Sequence, residues 1–185
     1  MTSITVDDNL LLRSYTPDDA GALFAAIDSQ RQHLSPWLGW VAATTKPEHS
    51  TEFIQRSQMQ MRDQEALPLG IFYNGAIIGG TGMYNWQHDI KRAQVGYWIG
   101  REHEGRGIVT RSLAALLDHL FTRAGLNKVE IHYIPTNKRS GRVAERLGFR
   151  IEGIIRKGVM NNGAPEDLVV TGLLKHEWRN PFSQG

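Results

Sequence analysis

One stretch limits the fold more than any other. Gly96-Tyr97-Trp98-Ile99-Gly100 reads as the end of a strand, and Glu104-Gly105-Arg106-Gly107-Ile108-Val109-Thr110 reads as a glycine-rich turn that opens a helix. Glycine permits a tight backbone and the close approach of a ligand. The first turn of a helix presents unpaired N–H groups and the positive end of the helix dipole. Strand, turn and helix in this order make an anion site suited to a pyrophosphate. Two glycines alone describe an ordinary strand-to-helix turn equally well. Two other nucleotide patterns are excluded: a dinucleotide fingerprint has a third glycine where Thr110 stands, and a Walker loop needs Gly-Lys-Ser/Thr at the helix start.

The rest of the chain must build a core around that segment. Its 185 residues suit a single domain, 1–185, with a core over about 10–176 and a polar, frayed tail over 180–185. A formal charge of +2 gives no support for general nucleic-acid or membrane binding, while leaving room for a local basic patch. With no cysteine, disulfides, cysteine-ligated metals and thiol nucleophiles are excluded, and a reducing cytoplasm fits. The first nine residues lack the basic start and apolar run of a signal peptide, and no apolar stretch approaches the roughly 20 residues of a membrane helix. The seven histidines form no His-x-x-x-His or similar cluster, so no metal is expected.

Periodicity predicts the elements. Leu10 to Tyr15 is a first strand. Thr16-Pro17-Asp18-Asp19 is a helix start with Thr16 as N-cap, opening a helix to about Ser29. A loop with Trp37 and Trp40 leads to a second helix from about Pro47 to Glu65. Strands follow at Leu67–Tyr73 and Ala76–Tyr84, joined at Asn74-Gly75, a hairpin signal. Ala93–Ile99 is the fourth strand. Val109 to Ala124 is a helix with Leu113, Leu116, Leu117, Leu120 and Phe121 on one face. Lys128–Ile134 is the fifth strand, Ser140–Leu147 a short helix, and Phe149–Arg156 and Val169–Leu174 the last strands, with Asn162-Gly163 as their turn. The sum is a mixed α/β domain: a largely antiparallel sheet of about seven strands, flanked by helices.

The glycine turn resembles the acetyl-coenzyme A motif of the GNAT acetyltransferases, Gln/Arg-x-x-Gly-x-Gly/Ala. Gly105 and Gly107 match its last positions, and Glu102 departs from its first. Asn137-Lys138-Arg139-Ser140 resembles the Asn-x-x-Ser/Ala after the fifth strand, and Leu147-Gly148-Phe149 resembles the family's Leu-Gly-Phe. The likeness covers Leu11 to Leu174. Leu34-Ser35-Pro36-Trp37-Leu38-Gly39-Trp40 and Gly96-Tyr97-Trp98-Ile99 resemble the RimJ/RimL-type branch, which modifies protein N-termini.

The resemblance implies the GNAT fold, with the fourth and fifth strands splayed and acetyl-coenzyme A as cosubstrate. Trp98, Ile99 and Gly100 would supply backbone groups to the pantetheine arm, with the Ile99 N–H polarising the thioester carbonyl. Glu104, Gly105, Arg106, Gly107, Ile108, Val109 and Thr110 would hold the pyrophosphate, and Asn137 the pantetheine amides. Arg106, Arg111, Lys138, Arg139 and Arg142 are candidate phosphate cations, each equally readable as solvated surface. The usual acid, a Tyr, is replaced by Ala144, so Ser140 is the candidate general acid, or the cap of its helix. The Glu base of RimL-like enzymes is replaced by Val159. Glu130, His132, Glu166 and Asp167 remain as base candidates, possible only if they face the site: Glu130 and His132 share one face of a strand, and Asp167 reads also as a hairpin contact. A dedicated base is dispensable for an N-terminal amine with a pKa near 8. Trp37, Trp40, Tyr84 and Trp86 are candidates for lining an acceptor cleft, or for the core.

The function expected is acetyl transfer to a primary amine, foremost the N-terminal amine of a protein, by direct attack in a ternary complex. The alternatives are a small-amine acetyltransferase (polyamine, amino sugar or antibiotic) and a coenzyme A-binding sensor without turnover. A homodimer is compatible with the branch.

Overall fold

The computed structural model describes residues 1–182. It contains one eight-stranded sheet in the order β1-β2-β3-β4-β5-β6-β8-β7. The strands are β1 (Ser3–Thr5), β2 (Leu10–Arg13), β3 (Leu67–Tyr73), β4 (Ala76–Gln87), β5 (Arg92–Ile99), β6 (Lys128–Tyr133), β7 (Arg150–Asn161) and β8 (Ala164–Leu174). Every neighbouring pair is antiparallel except β5 and β6, which run parallel. The helices are α1 (Ala20–Asp28), α2 (Arg31–Leu34), α3 (Pro47–Arg62), α4 (Ile108–Thr122) and α5 (Lys138–Arg146).

The mixed, largely antiparallel sheet agrees with the expectation, with one strand more than the seven read from sequence. The addition is β1, three residues paired to β2. Three residues are too few for alternation to register. The last hairpin is also longer than expected. Lys157 adopts φ 51° at a register break between Ile155 and Val159, and pairing resumes beyond it. A bulge preserves the ladder where the sequence reads as an end.

Two apolar clusters lie on opposite faces of the sheet. α4 covers one face: Leu113, Leu116, Leu117 and Leu120 are fully buried, along with Val129 and Leu126. Each such leucine contributes about 1.5–3 kcal/mol of burial. On the other face α1 and α3 pack Leu23, Ile27 and Ile54 against Tyr15 and Phe72. The start of α1 is fixed by the expected signal. Asp19 accepts the Thr16 N–H at 2.7 Å and pairs with Arg13 at 2.7 Å. That salt bridge holds the Asp19 carboxyl at about 2.

The chain stays docked beyond the last strand. Trp178 is buried and donates its Nε1–H to Asp118 in α4 at 2.7 Å. Asn180 bonds to the same carboxylate. The frayed tail expected over 180–185 falls, at positions 183–185, outside the described residues.

Candidate active site

The parallel pair β5–β6 is joined at three positions only, Arg92↔Lys128, Ala93↔Val129 and Gln94↔Glu130. Beyond them β5 continues from Val95 to Ile99 with no partner on β6. This is the expected splay between the fourth and fifth strands of the sequence reading. The Gly100 N–H donates to the Ile78 carbonyl at 2.9 Å. Backbone groups of an antiparallel strand alternate in direction. Trp98, in register with Gly80, therefore bonds toward β4, while the N–H and C=O groups of Tyr97 and Ile99 face the split. The expected trio narrows accordingly: Ile99 presents its backbone to the cleft, and Gly100 spends its N–H on Ile78.

At the end of β5 the turn enters α4. Gly105 (φ 71°) and Gly107 (φ 70°) are both left-handed, a conformation that costs an L-residue roughly 1–2 kcal/mol. Gly107 is the N-cap of α4 and offers no side chain to the helix end. The first N–H groups after it, from Ile108, Val109 and Thr110, have no partner within the helix. Around them Arg111 pairs with Asp7, and Arg139 pairs with Glu104 at 2.7 Å. Arg106 lies 5.5 Å from the Tyr73 ring. Lys138 and Arg142 form no ion pair with the described residues. Of the five candidate phosphate cations, two are thus engaged in salt bridges. Glu102, the departure from the motif, accepts from Gln30 Nε2 at 2.9 Å, and Gln30 Oε1 in turn accepts the Arg101 N–H at 3.0 Å. The turn is thereby tied to the α1–α2 corner.

Across the split stands the N-terminus of α5. Its cap is Asn137, whose side chain accepts the Ser140 N–H at 3.2 Å. The capping role weighed for Ser140 therefore belongs to Asn137. Ser140 is buried, and its Oγ lies 2.9 Å from the Tyr97 hydroxyl. Burial pushes the Tyr97 phenol up to about 12, partly offset by the bond to Ser140. Tyr97 thus spans from β5 to α5. Sequence reasoning missed this residue. Alternation places it on one face with Val95 and Ile99, but nothing in the chain order names Ser140 as its partner. Ala144, where a Tyr is usual in the resemblance, is buried in the core.

Glu130 and His132 do share a face of β6, with the His132 Nε2 3.0 Å from the Glu130 carboxylate. Glu130 is buried and also meets Lys128 at 3.0 Å and Arg92 at 3.2 Å. Burial works against its charge, yet the bonds to Lys128 and His132 and the nearby Arg92 hold its carboxyl below the ordinary range. Asp167 accepts the Lys157 N–H at 2.9 Å, a hairpin contact that closes the β7 bulge.

On the α1–α3 side of β5 lies a cavity of about 630 Å³. Tyr84 and Trp40 line it, and Trp40 stands edge-on to Trp98 at 6.3 Å. The strand residues Gly96, Tyr97 and Trp98 form part of its wall, so it reaches the split. Two of the four expected aromatics lie elsewhere. Trp86 stacks on His88 at 4.4 Å and packs against the cluster on the α4 face. The register break after Tyr84, with Asn85 at φ 52°, puts Trp86 out of step with Tyr84. Trp37 is 39% exposed and is not part of the wall; next to it the Pro36 carbonyl accepts from Asn162 at the tip of the last hairpin, at 3.3 Å.

A splayed parallel pair with a free strand edge, closed by a glycine turn at a helix N-terminus, defines a coenzyme A-dependent acyltransferase. The residues fit that ligand: an unpaired extended backbone for an amide-bearing arm and a bare helix end for a diphosphate. The chain belongs to the GNAT acetyltransferases: the family described as "Acetyltransferase (GNAT) domain" matches residues 9–150. YdaF of Bacillus subtilis (strain 168) is 33% identical over 96% of this chain and 98% of its own length. RimL, a ribosomal L7/L12 alpha-N-protein acetyltransferase solved with coenzyme A, superposes with a TM-score of 0.90 at 25% identity, covering 94% of this chain and 98% of RimL. The microcin C7 self-immunity acetyltransferase MccE, solved with acetyl-CoA and AMP, gives a TM-score of 0.88 at 28% identity over 91% of this chain and 94% of that one. The protein is an acetyl-CoA-dependent N-acetyltransferase of GNAT type, related to ribosomal-protein acetyltransferases. Among the described residues no cluster of His, Cys, Asp or Glu would hold a metal ion, and no helix is long and apolar enough to cross a membrane.

Proposed function

We propose that the protein transfers acetyl from acetyl-coenzyme A to the N-terminal amine of a protein, in the cytoplasm, with a ribosomal protein as the acceptor class. The observation that carries the chemistry is the free edge of β5 from Tyr97 to Ile99, with the Ser140 hydroxyl held 2.9 Å from the Tyr97 phenol. The acceptor class rests on the likeness to RimL, a ribosomal L7/L12 alpha-N-protein acetyltransferase.

The pantetheine arm lies along the Tyr97–Ile99 edge, and the N–H groups of Ile108, Val109 and Thr110 take the pyrophosphate. Asn137, with its oxygen committed to the helix cap, has its amide NH₂ left for the pantetheine amides. Arg106, Lys138 and Arg142 serve the phosphates. The amine attacks the thioester carbonyl, whose oxygen is stabilised by the Ile99 N–H; such donors aimed at developing charge are the largest single catalytic contribution in many acyl transfers. The C–S bond then breaks, and the thiolate receives its proton through Ser140. A serine hydroxyl is a weak acid, so its orientation matters. Tyr97, kept protonated by burial, donates to Ser140 Oγ and leaves the serine proton directed at the sulfur.

The base is the lesser requirement. Glu130 is held ionised by cations on several sides, which makes it a poor proton acceptor. His132 is tied to it, and Asp167 caps a bulge. An α-amine with a pKa near 8 enters partly neutral, and water takes its proton.

Incubation with acetyl-CoA and peptides carrying N-terminal Ser or Ala, read by mass spectrometry, tests the acceptor. Single acetylation at the α-amine supports it; no transfer to any peptide refutes it. A second reading, a small amine as acceptor, is favoured by a cavity of about 630 Å³, room enough for a whole small molecule. Transfer to free amines but to no peptide selects it.

A further inference from the structure

The acceptor cavity is far larger than a Ser or Ala side chain requires. Its 630 Å³ lies in the range of sites for drug-sized ligands. Its floor is strand: Trp98 and Tyr15 cover Gly80, while Gly96 contributes no side chain. Its walls are rings. Trp40 meets Trp98 edge-on at 6.3 Å, and Phe53 meets Tyr15 edge-on at 5.8 Å. Such walls suit a planar ring, which gains both apolar burial and ring–ring contact.

Polar groups are few and specific. Ser50 is 1% exposed, lines the cavity, and its Oγ has no hydrogen-bond partner among the described residues. Buried hydroxyls of this kind are rarely left without a partner. The phenol oxygens of Tyr15 and Tyr84 sit over the strand floor, 3.0 Å and 3.1 Å from where side chains at Gly80 and Gly82 would begin. Burial raises both phenols, Tyr84 to about 12, so both stay protonated and able to donate. The charged lining residues Glu52 and Arg56 offset one another, so the cavity has no acidic surplus to attract a polyamine.

We propose that the acceptor is a primary amine carrying a planar aromatic ring with a polar substituent, such as a phenol or indole, seated between Trp40, Trp98 and Phe53 and hydrogen-bonded by Ser50. The proposal rests on the acetyltransferase reading above and specifies the acceptor of that same site. The ring enters the cavity and the amine projects past Gly96 to the split. There its nitrogen forms the bond to the acetyl carbon, the C–S bond breaks, the thiolate takes a proton through Ser140, and the amine gives one to water. Two sources share this chemistry: a peptide whose first residue is Tyr or Trp, and a free aromatic amine.

The experiment measures acetyl transfer from acetyl-CoA to peptides X-Ala-Ala-amide with X as Ser, Ala, Leu, Phe, Tyr or Trp, and to tyramine and tryptamine. Calorimetric titration of the protein with tyrosinamide is run alongside. Tyr and Trp acceptors are expected to exceed Ser and Ala by about tenfold or more in kcat/KM, the equivalent of one good ring contact and its burial. Trp40→Ala should erase that preference, and Ser50→Ala should bring Tyr down to the level of Phe while coenzyme A affinity is unchanged. A higher rate on peptides than on tyramine identifies the peptide source, and the reverse the free amine. Saturable tyrosinamide binding without any transfer sinks the amine-transfer reading and leaves the aromatic site standing. Efficient transfer to Ser or Ala peptides with no preference for rings, and no tyrosinamide binding, overturns the aromatic site and leaves the transferase reading intact.

Discussion

The two halves of the site are built from different material. The cofactor cleft is made of backbone: an unpaired strand edge, two left-handed glycines and a bare helix end, nearly contiguous from Tyr97 to Thr110. The cavity proposed for the acceptor is made of side chains brought from separate places: Tyr15 after β2, Trp40 in the loop after α2, Ser50 and Phe53 on α3, Tyr84 on β4 and Trp98 on β5. A backbone site is fixed by the fold and needs only a few permissive residues. A side-chain site can be redrawn by single substitutions without disturbing the fold. The first therefore marks the family, and the second, on the proposal above, sets what this chain acts on.

That contrast can be broken by substitutions that touch one half only. The largest effect is expected at the chemistry between them. Ser140→Ala should lower kcat by about a hundredfold, the lower end of what a positioned proton donor supplies, with coenzyme A affinity unchanged by calorimetry. Gly107→Val should weaken coenzyme A binding roughly tenfold or more, because its left-handed backbone costs about 1–2 kcal/mol for an L-residue and more for a branched one, while the acceptor preference among the molecules that still react is unchanged. Tyr97→Phe should lower kcat by about tenfold. Combined with Ser140→Ala it should add nothing further, because the phenol acts through the serine. Additive losses in that double variant would show that Tyr97 works by another route.

The smallest effect lies outside both halves, at the start of α1. The Asp19 carboxyl, at about 2 in the folded chain against 3.8 for a free side chain, is held down first by its hydrogen bond to Arg13. A depressed carboxyl stabilises the fold above its unfolded pKa and loses that contribution as pH falls from about 4 toward 2. Asp19→Asn should therefore destabilise by about 1–2 kcal/mol at pH 7 in a denaturant titration, and the difference from the wild type should shrink below pH 4.

How far the sequence could be read follows the same division. Glycines at positive φ, hairpin turns at Asn74-Gly75 and Asn162-Gly163, and the leucine stripe of α4 are local signals, and each stands where local physics puts it. The splay of β5 from β6 came from resemblance, since no residue in either strand announces that pairing stops after Gln94. Bulges defeated alternation. The strand read as ending at Tyr84 continues to Gln87, and the break at Asn85 turns Trp86 away from the face of Tyr84. The Tyr97–Ser140 contact spans 43 residues of sequence and depends on where α5 lands, which no local pattern encodes. Glu130 read as a candidate base because a lone strand shows no neighbours; its cations come from β5 and from its own strand two residues away.

The central claim is that the thioester lies in the β5–β6 split, between the Ile99 edge and Ser140. A crystal structure of the protein with coenzyme A tests it most directly. The account predicts the pantetheine hydrogen-bonded to the Ile99 edge, the pyrophosphate on the N-terminus of α4, and the thiol within hydrogen-bonding distance of Ser140 Oγ. A thiol remote from Ser140, or a pantetheine arm that leaves the β5 edge unbonded, would contradict it.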